Sequence, residues 1–198
     1  MPQTDRRLRR RQTPLQIAVS KGFHSLAALL LSNGYNPNGD YYECITPAVR
    51  SRDHDMVDLL TRFGADLSAV DFAEVLETYD RRLMDRFIEA GVDPCAGNAV
   101  ARALHHEGRP LLGFVKTYRE RFPGLQRQID IALHAFVHDS DEKGVALMLW
   151  LGADPNAETP QSPYEDDERY VTHECAVEAA MWRDNSTIYG QLIRKPIP

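Results

Sequence analysis

The chain has 198 residues, enough for one domain with a real core or for a short array of small repeats. Its 43% apolar and 26% charged content is that of a folded globular protein, and a net charge of −6 argues against general nucleic-acid binding, which needs a basic surface. Three scattered cysteines (Cys44, Cys95, Cys175) without a C-x-x-C pair fit reduced thiols, and neither a membrane-length apolar run nor a signal-peptide core is present, so a cytoplasmic protein is expected.

Residues 1–12 hold five arginines against Asp5, a net +4, which leaves −10 on the rest of the chain. This segment reads as a basic flexible N-terminus, either simply solvated or acting as a targeting or acidic-partner arm. In Thr13-Pro-Leu-Gln-Ile-Ala18, Thr13 can cap a helix, Pro14 suits its first turn, and Leu15, Ile17 and Ala18 are expected to pack inward. Gly22-Phe-His24 breaks that helix before a second one, carrying Leu26, Leu29 and Leu30, which stops at Asn33-Gly-Tyr-Asn-Pro-Asn38.

The same stop recurs as Phe63-Gly-Ala-Asp-Leu-Ser68, Ala90-Gly-Val-Asp-Pro-Cys95 and Leu151-Gly-Ala-Asp-Pro-Asn156. In each copy glycine suits the left-handed position after a helix, and the Asp or Asn two residues on can close a turn with its own side chain. Gly34, Gly64, Gly91 and Gly152 are separated by 30, 27 and 61 residues, so a fifth helix end is expected near Phe122-Pro-Gly124. Apolar runs at helical spacing precede each glycine: Met56 to Leu60, Leu83 to Ile88, Leu111 to Val115 and Val145 to Leu149. Leu29 and Leu149 are expected to be core residues. A shorter helix lies upstream of each run; in the second repeat Thr46-Pro47 falls late, and in the fourth and fifth the pairs read as 99–106 with 110–118 and 129–138 with 142–151. A last pair, 172–183 and 186–194, reads as a C-terminal cap.

"TPLQIAVSKGFHSLAALLLSNGYNPN" resembles an ankyrin repeat, whose pattern opens T-P-L-H-x-A and forms two helices over about 33 residues. Gln16 stands where the family has His, a change expected to remove one turn-bracing hydrogen bond. The resemblance covers about residues 13–194, strong in the first and fifth repeats and weak in the third and fourth. It implies an all-α, ankyrin-like solenoid of about five helix pairs plus a capping pair, forming a single domain over 13–198.

Little in the chain points to catalysis. His134 and His138 stand four apart and His105-His106-Glu107 form a second group, but no further ligand follows at metal spacing, and both are expected to be surface or capping residues. His173-Glu-Cys175 is expected to cap and pack the helix that follows. No phosphate loop, nucleophile elbow or H-E-x-x-H occurs. No enzyme activity, metal or other cofactor is therefore expected.

Two loops depart from what the repeat requires. Gly39-Asp-Tyr-Tyr-Glu43 puts Tyr41 and Tyr42 in the first finger, and 157–171 is a long insertion holding Tyr164, Glu165, Asp166, Asp167, Glu168 and Tyr170. Such insertions map to loops on one face of a repeat array, often the binding face. With Arg50 and Arg52 nearby, these residues form the candidate site for a protein partner bearing a basic patch; the alternatives are an acidic loop without a partner and two solvated arginines. The family implies a non-catalytic protein-binding module using its concave face. A bacterial immunity protein or inhibitor is the leading role and a host-directed adaptor or effector the alternative, with neither nucleic acid nor membrane as partner.

Overall fold

Four of the expected helix stops form as left-handed turns. Gly34, Gly64, Gly91 and Gly152 have φ of 87°, 87°, 88° and 86°. After each, the next N–H reaches back into the helix: Tyr35 to the Leu30 carbonyl, Ala65 to Leu60, Val92 to Phe87 and Ala153 to Met148, at 3.0–3.2 Å. This closure satisfies carbonyls the helix end would orphan, and it needs a residue without Cβ at the left-handed position. Asn36, Asp66, Asp93 and Asp154 then accept, at 2.8–2.9 Å, from the N–H groups of Asn38, Ser68, Cys95 and Asn156. Stop and turn are thus both built from local chemistry.

The computed structural model describes residues 12–39, 42–160, 162–164 and 174–194, so the basic run of 1–11 lies outside the described residues. The chain divides into two compact units, Met1–Val70 and Asp71–Pro198. The first contains α1 (Pro14–Ser20), α2 (His24–Ser32), the hairpin β1 (Asn38–Gly39) with β2 (Tyr42–Glu43), α3 (Ile45–Arg50), α4 (His54–Arg62) and a 3-10 turn at Leu67–Ala69.

Gln16 Oε1 accepts from the Thr13 N–H at 2.7 Å while Thr13 Oγ1 accepts from the Gln16 N–H at 3.2 Å. The two residues thus form a reciprocal capping box at the start of α1. Leu15 and Ala18 are buried as expected, but Ile17 is exposed. In α2 the expected face is also wrong. Leu29 is 60% exposed and Leu26 is exposed too, whereas Ala27 and Leu31 are buried. Six of the nine residues of HSLAALLLS are apolar, so spacing alone offers several faces, and contact with α1 and α4 selects the one through Ala27 and Leu31. Asp53 caps α4 through the Met56 N–H at 3.0 Å and also receives His24 Nε2 at 2.9 Å, which ties the starts of α2 and α4 together. Asn38, at the base of the hairpin, donates from Nδ2 to the Gly64 carbonyl at 2.7 Å and accepts from the Asp66 N–H at 2.8 Å. A finger residue of one repeat thereby holds the helix stop of the next.

The second unit contains α5 (Phe72–Glu77), α6 (Arg81–Glu89), a 3-10 turn at Ala96–Asn98, α7 (Ala99–Tyr118), α8 (Gly124–His138), α9 (Glu142–Leu151), the hairpin β3 (Glu158–Thr159) with β4 (Glu174–Cys175), α10 (Ala176–Trp182) and α11 (Ser186–Leu192). Asp71, Asp80, Asp141 and Asn185 cap α5, α6, α9 and α11 through their side chains. On α6 the expected face is the observed one, with Leu83, Met84, Phe87 and Ile88 buried. Glu107 leaves helical geometry at φ −145°, ψ 74°, so α7 is two helices broken where the fourth pair was expected to divide.

Gly124 corrects the fifth helix end. It opens α8 instead of closing α7, which ends at Tyr118, and the Cβ it lacks would sit 3.2 Å from Cys95 Sγ. Leu149 is half-buried and not a core residue; Val145, Met148 and Leu151 take that place. The centre of the unit is α8, buried from Gln128 to Val137 and packed against α7, α9 and α10. Asp130 on α8 accepts from the Asp154 N–H and from Gln126 Nε2, each at 2.8 Å, and Gln126 also donates to the Gly152 carbonyl at 3.0 Å. Burial raises the Asp130 pKa against the pull of those hydrogen bonds. Here the first helix of the pair holds the stop that ends the second.

Candidate functional site

Both finger segments begin and end on a two-residue antiparallel ladder. Asn38 pairs with Glu43 and Gly39 with Tyr42; Glu158 pairs with Cys175 and Thr159 with Glu174. The second ladder brings the two flanks of the long insertion together at Glu158–Thr159 and Glu174–Cys175. Its base is held by a histidine that sequence reasoning placed on the surface. The His134 side chain is buried on α8, with Nδ1 3.0 Å from Thr159 Oγ1, and Nε2 has no partner among the described residues. Burial depresses the His134 pKa, opposed by the charge of Glu174 and reinforced by those of His138 and Arg183. The ring is therefore held neutral in the fold.

Tyr164 is exposed, and its ring meets His105 edge-on at 6.4 Å between centroids. His105 in turn lies 5.0 Å from the Phe136 ring, and its Nε2 is 2.9 Å from Asp139 Oδ2. Beyond His105 opens a groove of about 670 Å³ lined by His106, Arg109, Phe136, Asp141, Lys143, Ala146, Leu147 and Trp150. Lys116 Nζ stands 4.1 Å over the Trp150 ring. Residues 105–109 come from the break in α7, and 141–150 from α9 with its cap, so the groove exists because two consecutive repeats are stacked. Sequence reasoning did not find it; the one available signal was Trp150, a large aromatic on the side of α9 away from Val145 and Met148.

Of the other predicted site residues, Tyr42 lies in β2, Arg50 ends α3 exposed, and Arg52 is exposed in a left-handed turn at φ 56°. Tyr164 belongs to the second unit and the other three to the first. Tyr41, Glu165, Asp166, Asp167, Glu168 and Tyr170 lie outside the described residues, as does His173. Its neighbours Glu174 and Cys175 form β4, and the Cys175 N–H donates to Glu178 Oε2 at 3.0 Å, the capping role expected there.

The described side chains do not converge on a reaction centre. Burial pushes the Cys44 and Cys95 thiols up to about 11, so neither carries a thiolate at neutral pH. Glu107 accepts from the Tyr79 hydroxyl at 2.7 Å and, with burial, raises that phenol to about 12. No His, Cys, Asp and Glu cluster suited to a metal occurs among the described residues, nor does a helix long and apolar enough to cross a membrane.

Helix pairs closed by glycine stops, with short hairpins between them, define an all-α, ankyrin-type repeat protein. Residues 10–40 match the model of the ankyrin repeat family. Its fold is similar to that of the human ASB11 ankyrin repeat domain, with a TM-score of 0.55 over 94% of this chain and 99% of that one at 14% sequence identity. A 69-residue stretch is 39% identical to dynein axonemal heavy chain 12 of Bos taurus, covering 32% of this chain and 19% of that protein. The chain thus spans about a fifth of that curated relative. Ankyrin repeats are generally a non-catalytic fold that binds other proteins.

Proposed function

We propose that this protein works by occupying the surface of a protein partner that bears a basic patch, using the concave face of one ankyrin-repeat domain over residues 13–198. The observation that carries this reading is the second finger: a ladder pairs 158–159 with 174–175, the sequence between them concentrates Tyr164, Glu165, Asp166, Asp167, Glu168 and Tyr170, and Tyr164 is exposed. Tyr41, Tyr42, Arg50 and Arg52 of the first finger and its following helix are further candidate contact residues. Carboxylates steer a basic partner into encounter, and tyrosines supply the contact area that slows its departure. A small acidic protein acting this way suits the role of a cytoplasmic inhibitor or immunity protein, which needs neither a cofactor nor catalysis.

Binding kinetics test the reading once a partner is in hand. Converting Glu165, Asp166, Asp167 and Glu168 to their amides should slow association and flatten its salt dependence. Replacing Tyr41, Tyr42, Tyr164 and Tyr170 by Ala should instead speed dissociation. Wild-type rates in both variants would place the site elsewhere.

A further inference from the structure

The groove between the break in α7 and the start of α9 carries a charge opposite to that of the chain around it. Beyond residue 12 the chain holds −10, yet the groove lining presents Arg109 and Lys143, with His105 and His106 beside them, and Lys116 adds a cation over Trp150. Asp141 is the one carboxylate in that lining, and it is already engaged: its Oδ1 accepts from the Lys143 and Gly144 N–H groups at 3.0 and 3.1 Å as the cap of α9. Among the described residues neither Arg109 nor Lys143 has a carboxylate partner. Between these cations lie Phe136, Ala146, Leu147 and Trp150, and Trp150 is 60% exposed.

Burying a Trp would ordinarily be favourable, so an exposed indole with a lysine laid across it, in a groove rimmed by uncommitted cations, is a surface prepared for something both apolar and anionic. The volume of about 670 Å³ is that of a site for a short stretch of chain, not for a single ion. We propose that this groove docks an acidic segment of a protein partner, with a Glu or Asp of that segment paired to Arg109 and Lys143 and an adjacent aromatic or aliphatic side chain seated on Leu147 and Trp150. Single-stranded nucleic acid also seeks cations and aromatic faces, but it needs a basic track along its backbone, and a chain this acidic repels a polyanion away from the groove itself. The groove is proposed for an acidic occupant and the finger for a basic partner, so the two readings call for opposite charge and are tested by different variants.

The test is a display selection of random peptides on the immobilised full-length chain, followed by titration of the leading synthetic peptide. Trp182→Phe leaves Trp150 as the sole indole, so its emission reports groove occupancy directly. The selected peptides should be enriched in Asp and Glu next to an aromatic or aliphatic residue, shift Trp150 emission on binding, and lose affinity as salt rises. Arg109→Gln with Lys143→Gln should weaken binding about tenfold or more, with the folded signal unchanged because both side chains are exposed. Amide substitution of Glu165 to Glu168 should leave peptide binding as it was, whereas it removes the steering proposed for the finger. Selection without acidic enrichment, or equal binding by the double Gln variant, overturns the proposal. So does oligothymidylate binding that the double variant abolishes, or a self-association that it abolishes; these assign the groove to nucleic acid or to a second copy of the chain.

Discussion

Gly144 offers a test in which two physical effects of one methyl group oppose each other. It lies in the first turn of α9, where Ala is favoured over Gly by about 0.5–1 kcal/mol on backbone grounds. A Cβ at Gly144, however, would sit 2.2, 2.5 and 2.5 Å from Cδ1, Cε1 and Cγ of Phe136. That ring is buried on α8 and tilted against His105, so it has little room to retreat, and overpacking of this kind costs about 1–3 kcal/mol. Gly144→Ala should therefore be net destabilising, by up to about 2.5 kcal/mol, lowering Tm by up to roughly 10 °C at this chain length. Gly113, exposed in the second half of α7 with nothing within 4 Å of its missing Cβ, is the control: Gly113→Ala should be stabilising by about 0.5–1 kcal/mol. Urea unfolding monitored by helical circular dichroism measures both. A Gly144→Ala variant as stable as wild type would refute the close packing of α8 on α9, and with it the walls of the groove.

Leu31→Ala should cost about 2–5 kcal/mol because Leu31 is buried, whereas Leu29→Ala, two residues away, should stay within about 0.5 kcal/mol; thermal unfolding of the pair checks which face of α2 is inward. His134 has a folded pKa below its unfolded value of 6.5, so the unfolded chain takes up the proton first and stability should be lost as pH falls below about 6.5. His24, raised by its hydrogen bond to Asp53, has the opposite sign: its contribution is present at low pH and lost as pH rises through its folded pKa. Unfolding midpoints measured across this window should therefore flatten on the acid side in His134→Gln, and a variant that keeps the wild-type slope would rule out the buried neutral ring.

The parts of the fold that were legible in the sequence are those that short-range chemistry decides. A left-handed glycine and an Asp two residues on form the same turn wherever they occur, so the stops at 34, 64, 91 and 152 could be read directly. Phe122-Pro-Gly124 had the right spacing and the wrong meaning, because it begins a helix and its glycine packs close against Cys95, a residue far away in sequence. The inward face of α6 was legible because Arg81, Arg82, Asp85, Arg86 and Glu89 mark its outside. The face of α2 was not, since leucines surround it and its neighbours choose among them. His134 was misplaced for a related reason: α8 is covered on nearly every side, so a polar residue in it has no outside to occupy. Finger positions came from composition and length, which the chain shows plainly, but the groove depends on how α7 meets α9, and no periodicity within either helix reveals that.

The central claim, that the acidic, tyrosine-bearing finger grips a protein partner, is tested most directly by affinity capture with quantitative mass spectrometry. The full chain and the combined variant Tyr164→Ala, Glu165→Gln, Asp166→Asn, Asp167→Asn, Glu168→Gln and Tyr170→Ala would be compared as baits in lysate from the source cell. A protein with a basic surface patch should be captured by the wild-type chain and lost from the variant, with both baits equally folded. Capture of the same proteins at the same abundance by the two baits would contradict the account.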